Sequence, residues 1–266
     1  MTDYYPQRIV CLTEETTEML YLLGEEHRIV GISGFTVRPP RARKEKPMVS
    51  AFTSADIPAI LALKPDLVLG FSDLQADIAA DLVREGIDVH IFNQRSVKEI
   101  LGMILTLGAM VGQAEQAHDW VAAMELRLQT LRQSAALKSK KPKVYFEEWF
   151  DPIISSIQWV SELVEIAGGE CAFPELAVES LAKNRIIEDA AEVVRRAPDI
   201  IIGSWCGRKF QPDRLCSRDG WSSIPAVQNN QVHEIKSAYI LQPGPAALTD
   251  GLDQIKAILD AWHDET

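Results

Sequence analysis

KPDLVLG, residues 64–70, and APDIIIG, residues 197–203, are the two stretches that decide the fold. Each is a Pro-Asp turn followed by a short unbroken apolar run that ends in Gly. A strand buried on both faces by helices reads this way, with no polar alternation. An amphipathic helical stretch precedes each run, and 133 residues separate Pro65 from Pro198. A second pair repeats the pattern: a strand at 8–12 followed by EMLYLLG (18–24), and a strand at 143–146 followed by ELVEIAG (162–168). That helix offset is 144 residues, so the repeat has drifted by insertion, as in a duplicated α/β domain and unlike a solenoid.

Between the copies, residues 113–137 contain no Gly or Pro in their interior. Ala117, Val121, Met124, Leu128, Leu131 and Ala135 recur at steps of four and three, which predicts one long helix with a single apolar stripe. At about 1.5 Å per residue it reaches roughly 36 Å, about the width of a small domain. The expected fold is α/β, with two Rossmann-like lobes of central, mostly parallel sheets bridged by this helix and a ligand cleft between the lobes. The domains expected are 1–95, a helical segment at 96–140 with the bridging helix, and 141–266. The stripe is short for a coiled coil, so a monomer is expected. The helix is also expected to limit lobe closure, with Gly108 and Gly112 as the one soft point.

The 266 residues are 47% hydrophobic and 24% charged, enough for two modest cores. A net charge of −11 argues against nucleic acid or an anionic membrane as the main partner. The basic cluster at 38–46 is broken by prolines and reads as a solvated loop. The N-terminus MTDYYPQRIVCLTEE lacks a basic and an apolar signal region, and no apolar run approaches about 18 residues. The expectation is a cytoplasmic protein for the chain as it stands, and a periplasmic one if translation starts upstream. Cys11, Cys171, Cys206 and Cys216 show no zinc-type spacing and are expected to be free thiols.

In parallel α/β sheets the residues just past the strand C-termini line the ligand crevice. Strands at 8–12, 28–32, 48–50, 67–70 and 89–92 therefore predict a first-lobe lip of 13–15, 50–53, 71–73 and 93–94, with Thr13 capping a helix that starts near Thr17. Strands at 144–146, 200–203 and 232–235 predict a second lip. Candidate ligand-binding residues are Glu15, Phe35, Phe52, Thr53, Phe71 and Ser72 in the first lobe. In the second they are Glu148, Trp149, Trp205, Cys206, Lys236, Tyr239 and Gln242. Aromatic faces beside sparse donors and acceptors suit a small organic ligand. Lying beyond strand ends, Phe52 and Trp205 are expected to touch ligand and to matter little for stability.

RIVCLTEETTEMLYLLG, RIVGISGFTVRPPRA, MVSAFTSADIPAILALKPDLVLGFSD, VYFEEWFDP, ELVEIAGG and APDIIIGSW together resemble the helical-backbone (class III) substrate-binding proteins of ABC importers, particularly those that bind cobalamin. The resemblance spans nearly the whole chain. It implies a non-enzymatic protein that binds cobalamin or a related corrinoid, with no catalytic cofactor and with an ABC permease as partner. It also implies corrinoid-contacting roles for Phe35, Phe52, Phe71 and Tyr239, with Trp205 at a corresponding lip. Permease docking in such proteins uses one exposed Glu per lobe. The matching positions here fall at 75–77, which has no Glu, and at 188–192, which does.

Two other readings use the same residues. An iron chelate, haem or metal ion could occupy the same fold, with Glu14, Glu15, Asp73, Glu147 and Glu148 placed for coordination. An enzyme could use Glu147 or Glu148 as acid and base, but neighbours on a strand point to opposite faces. No nucleophile elbow, Walker loop or dinucleotide fingerprint occurs, and the five histidines show no metal spacing, so no catalytic or metal-binding residue is assigned.

Overall fold

The computed structural model describes residues 4–265. Contacts divide the chain into two units: residues up to Gln94 with Lys98–Ala123, and Arg95–Val97 with the chain from Met124 onward. The first holds strands β1 (Ile9–Cys11), β2 (Ile29–Ser33), β3 (Met48–Ala51), β4 (Ser54–Ala55), β5 (Leu67–Phe71) and β6 (Val89–Phe92). Their order is β4-β3-β2-β1-β5-β6, all parallel except β4, which turns back on β3. The second holds β7 (Lys143–Trp149), β8 (Ile154–Ser155), β9 (Glu170–Cys171), β10 (Ile200–Gly203) and β11 (Val232–Glu234). Here the order is β11-β10-β7-β8, with β9 also on β7 and β8 antiparallel.

The repeated motif folds the same way twice. Lys64 (φ 49°) and Ala197 (φ 48°) both adopt the left-handed conformation before the Pro-Asp turn, at a cost to an L-residue on the order of 1 kcal/mol. The aspartate after each offsets that cost. The Asp66 carboxylate accepts the backbone N–H of Gln7 (2.7 Å) and Arg8 (2.9 Å), and that of Asp199 accepts the N–H of Lys143 (2.8 Å). Each therefore ties the start of its buried strand to the first strand of its unit. The basic side chain at that first strand reciprocates, Arg8 donating to the Leu63 carbonyl (2.6 Å) and Lys143 to that of Arg196 (3.1 Å). Those carbonyls end the helices Ile57–Ala62 and Ala191–Arg196, where unpaired C=O groups need donors. The runs themselves, Leu67–Phe71 and Ile200–Gly203, are buried throughout.

Gly70 and Gly203 end the two runs because nothing larger fits. A Cβ at Gly203 would lie 1.9 Å from the Phe210 ring, and one at Gly70 would lie 2.6 Å from the Gln75 amide. The helices of the second repeated pair, Glu14–Leu22 and Gln158–Ala167, are each followed closely by a left-handed glycine, Gly24 (φ 72°) and Gly168 (φ 102°).

The long helix is Ala114–Ala136, preceded by a separate helix Val97–Met110. Ala117, Val121, Met124, Leu128 and Ala135 are buried and Leu131 half-buried, so the stripe is the packed face. Its residues up to Ala123 belong to the first unit and the rest to the second. In the first unit Gln113, just ahead of it, donates to Glu25 (2.5 Å). In the second, Arg127 donates to the Leu248 carbonyl (3.1 Å) and pairs with Asp253.

Four local expectations change. The first helix starts at Glu14, and Thr13 sits at its N-cap without capping, because its hydroxyl donates to Glu15 (2.6 Å). Strand β7 runs on through Trp149, so residues 147–149 lie within the strand and not beyond it. The basic stretch 38–46 is not an open loop: it holds the helix Ala42–Glu45, and Arg41 pairs with Glu26 (2.8 Å) over the Tyr21 ring (4.7 Å). Strand β11 ends at Glu234, and Lys236 leads into a helical turn, Ser237–Ile240. None of the four cysteines is in a disulfide.

Candidate ligand-binding site

In the first unit the C-terminal strand ends gather around one amide. Gln75, fully buried, donates from Nε2 to the Phe52 carbonyl (2.8 Å) and accepts the Phe71 N–H at Oε1 (2.8 Å). It thereby joins the end of β5 to the turn between β3 and β4. Phe52 and Phe71 lie side by side, ring centroids 6.4 Å apart. Phe71 is buried, Phe52 half-buried, and Thr53 exposed beside it. Phe35, past the end of β2, is 51% exposed. Ser72 has φ 65° and its hydroxyl accepts the Leu74 N–H (3.3 Å), which makes it a local cap.

Two carboxyls stand where β1 gives way to its helix. Burial pushes Glu15 up to about 8 and Glu14 to about 7. Glu15 accepts from Thr13, and its Oε2 has no hydrogen-bond partner. Burial thus favours the protonated form of Glu15, in which the carboxyl can donate to a carbonyl or accept from an amide.

In the second unit a buried network holds the strand ends. Glu147 accepts from Tyr145 (2.9 Å), from the Trp205 indole (3.0 Å) and from both Nη groups of Arg218 (2.5 and 3.1 Å). Burial pushes its carboxyl above the usual range while the Arg218 fork opposes that shift. Arg218 also donates to the Phe150 carbonyl (2.8 Å) and lies over the Phe150 ring (4.2 Å). Trp205 is only 4% exposed and packs edge-on to Phe150 (5.1 Å) and Phe210 (5.0 Å). It is part of the core, contrary to the expectation drawn from its position past β10. Glu148 points the other way, as strand alternation requires, and pairs with the buried Arg185 (2.5 Å), so it is committed to a structural ion pair.

Beside this network a cavity of about 370 Å³ opens at the ends of β7 and β10. Trp149, Phe150 and Trp205 wall it; Asp151, Gln211, Arg208, Lys209 and Arg214 complete the lining. The Arg208 guanidinium lies over Trp149 (4.9 Å) and that of Arg214 over Phe150 (4.0 Å). Cys206 and Lys236 are exposed, and Tyr239 and Gln242 half-buried; none of the four lines the cavity.

Gln75, Phe150, Arg208, Lys209, Arg214 and Arg218 were not singled out as site residues from sequence. The signal for three of them lay in GRKFQPDR, residues 207–214, whose three cations directly follow a predicted strand end. Gln75 lacked any such mark.

The periplasmic binding protein family matches residues 9–239. An uncharacterised ABC transporter substrate-binding lipoprotein of Bacillus subtilis is 25% identical over 259 residues, covering 94% of this chain and 79% of its own length. A vitamin B12-binding protein of Vibrio cholerae is 26% identical over 260 residues, covering 94% and 87%. Among solved structures, the periplasmic vitamin B12-binding protein BtuF of Vibrio cholerae superposes with a TM-score of 0.77, 24% identity and coverage of 97% and 98%. IsdE of S. aureus, complexed with heme, gives 0.78, 21%, and 95% and 98%. The α/β fold is thus that of the class III binding proteins, and the chain belongs to the periplasmic binding protein family.

Proposed function

We propose that this chain is the ligand-carrying component of an ABC importer, and that its ligand is cobalamin or a related corrinoid bound against strand-end aromatics. The observation that carries this is the placement of paired aromatics at strand ends in both copies of the repeat: Phe52 with Phe71 in one, Phe150 with Trp205 in the other. Flat apolar faces beside a few fixed donors suit a large conjugated ring. The neutral carboxyl of Glu15 adds a partner for the amide groups that fringe a corrin. Relatives named for vitamin B12 binding support the same ligand.

A second reading, haem or another iron chelate, is favoured by one feature: the cations Arg208, Lys209 and Arg214 around the second cavity, which suit carboxylate groups. Calorimetric titration with cyanocobalamin, cobinamide, haemin and a ferric chelate separates them. Heat with a corrinoid is the expected result; heat only with haemin or the chelate moves the assignment to the second reading.

The importer role would bring a permease against acidic residues of each unit. Gln75, within the stretch first matched to docking, is buried and engaged, which leaves the exposed Asp77 in the first unit. In the second, Glu192 is paired with Arg195 and Arg196, so the exposed Glu188 is the better contact. That role places the protein outside the cytoplasm, the second of the two locations expected from sequence. No helix among the described residues is long and apolar enough to cross a membrane.

A further inference from the structure

We propose that the cavity at the ends of β7 and β10 takes an acidic group, a carboxylate or a phosphate, carried on a flat ring; this rests on the ligand-binding reading above only for which larger molecule presents that group. The chain carries a net charge of −11, yet Arg208, Lys209 and Arg214 converge on one opening. Among the described residues none of the three makes an ion pair. Four other arginines of this unit are paired: Arg185 with Glu148, Arg195 with Asp189 and Glu192, Arg196 with Glu175 and Glu192, and Arg218 with Glu147.

The two guanidinium groups lie over aromatic rings, Arg208 over Trp149 (4.9 Å) and Arg214 over Phe150 (4.0 Å). A cation–π contact uses none of a guanidinium's N–H donors in a hydrogen bond to an oxygen acceptor. Those edges are a fork for a two-oxygen anion, and Lys209 adds a point charge. A single carboxylate, Asp151, belongs to the lining, so the opening stays cationic. Behind the cations the walls are aromatic, and an anion tethered to a flat ring satisfies both layers at once. A neutral amide of the same shape satisfies only the walls.

The test uses the whole chain and matched small probes: 2-naphthoate, 2-naphthyl phosphate and 2-naphthamide. Binding is read from tryptophan fluorescence and from the indole N–H resonances of Trp149 and Trp205. The acids are expected to bind about tenfold or more tightly than the amide, with the margin shrinking as salt rises. The double variant Arg208→Gln/Arg214→Gln is expected to abolish the margin between acid and amide while leaving the melting temperature unchanged; both side chains are exposed, and Lys209→Gln serves as a milder second variant. Equal binding of acid and amide, or a margin that survives in the double variant, overturns the proposal. Preference for acids without heat from any corrinoid or haemin removes the larger reading and keeps this one; corrinoid binding without that preference does the reverse.

Discussion

The two copies of the repeat share a frame and differ at the lip. Asp66 and Asp199 anchor equivalent strands with equivalent hydrogen bonds. Beyond the ends of these strands the copies part. The first lip is joined by a neutral amide, Gln75, and carries carboxyls that burial holds toward the protonated form. The second is joined by a buried ion pair, Glu147 with Arg218, and presents unpaired cations. A strand frame must satisfy backbone and packing in the same way each time, whereas residues past the strand end answer only to what they touch.

The largest effects should come from the second lip. Removing the Glu147 carboxylate strands a buried guanidinium, so Glu147→Ala should lower stability by about 3–5 kcal/mol in urea unfolding. Trp205→Ala should cost a similar amount, about 3–5 kcal/mol, because the indole is core. A loss below about 1 kcal/mol in both would mean the network does not hold this lip and the contrast with the first is false.

Next comes pH, which acts through the first lip. Burial raises Glu15 to about 8 and Glu14 to about 7, well above the ordinary carboxylate range. The folded state therefore binds more protons. The stabilising contribution of these groups is complete below about pH 4.5 and is lost as pH rises through 7 and 8. Between pH 5 and 8.5 the unfolding free energy should fall by on the order of 6 kcal/mol, and Glu15→Gln should remove somewhat more than half of that slope. An unchanged slope in the variant would assign the titration to other groups.

Smaller effects probe the shared frame. Gly203→Ala forces a methyl into the packed Phe210 ring and should cost about 2–3 kcal/mol; Gly70→Ala meets the movable end of Gln75 as well as Ile91 and should cost less. Asp66→Asn should cost about 1 kcal/mol and Asp199→Asn somewhat less, since Asp66 accepts two backbone N–H groups and Asp199 one. A negligible cost at either aspartate would show that its copy does not rely on this anchor.

What could be read from sequence follows the same division. Apolar runs, the Pro-Asp turns, the terminal glycines and the helical stripe are local patterns, and they appear close to their expected positions. Phe52 and Trp205 look the same from sequence, each just past a strand; one is half-buried in a turn and the other is folded back into the core. What separates them is Glu147, 58 residues from Trp205, and Arg218, 71 residues from Glu147, pairings no local spacing encodes. Gln75 was hidden for the same reason, since its partner Phe52 lies 23 residues back. The cations at 208–214 were visible as letters, but their unpaired state is a property of the folded surface.

The central claim is that the strand-end aromatics of this chain bind a corrinoid. Calorimetric titration of the wild type, Phe52→Ala and Trp149→Ala with cyanocobalamin tests it directly, one half-buried ring from each lip. The account predicts heat with the wild type and an affinity loss of about tenfold or more in each variant, with melting temperatures within a few degrees of the wild type. No heat with the wild type, or full affinity in either variant, would contradict it.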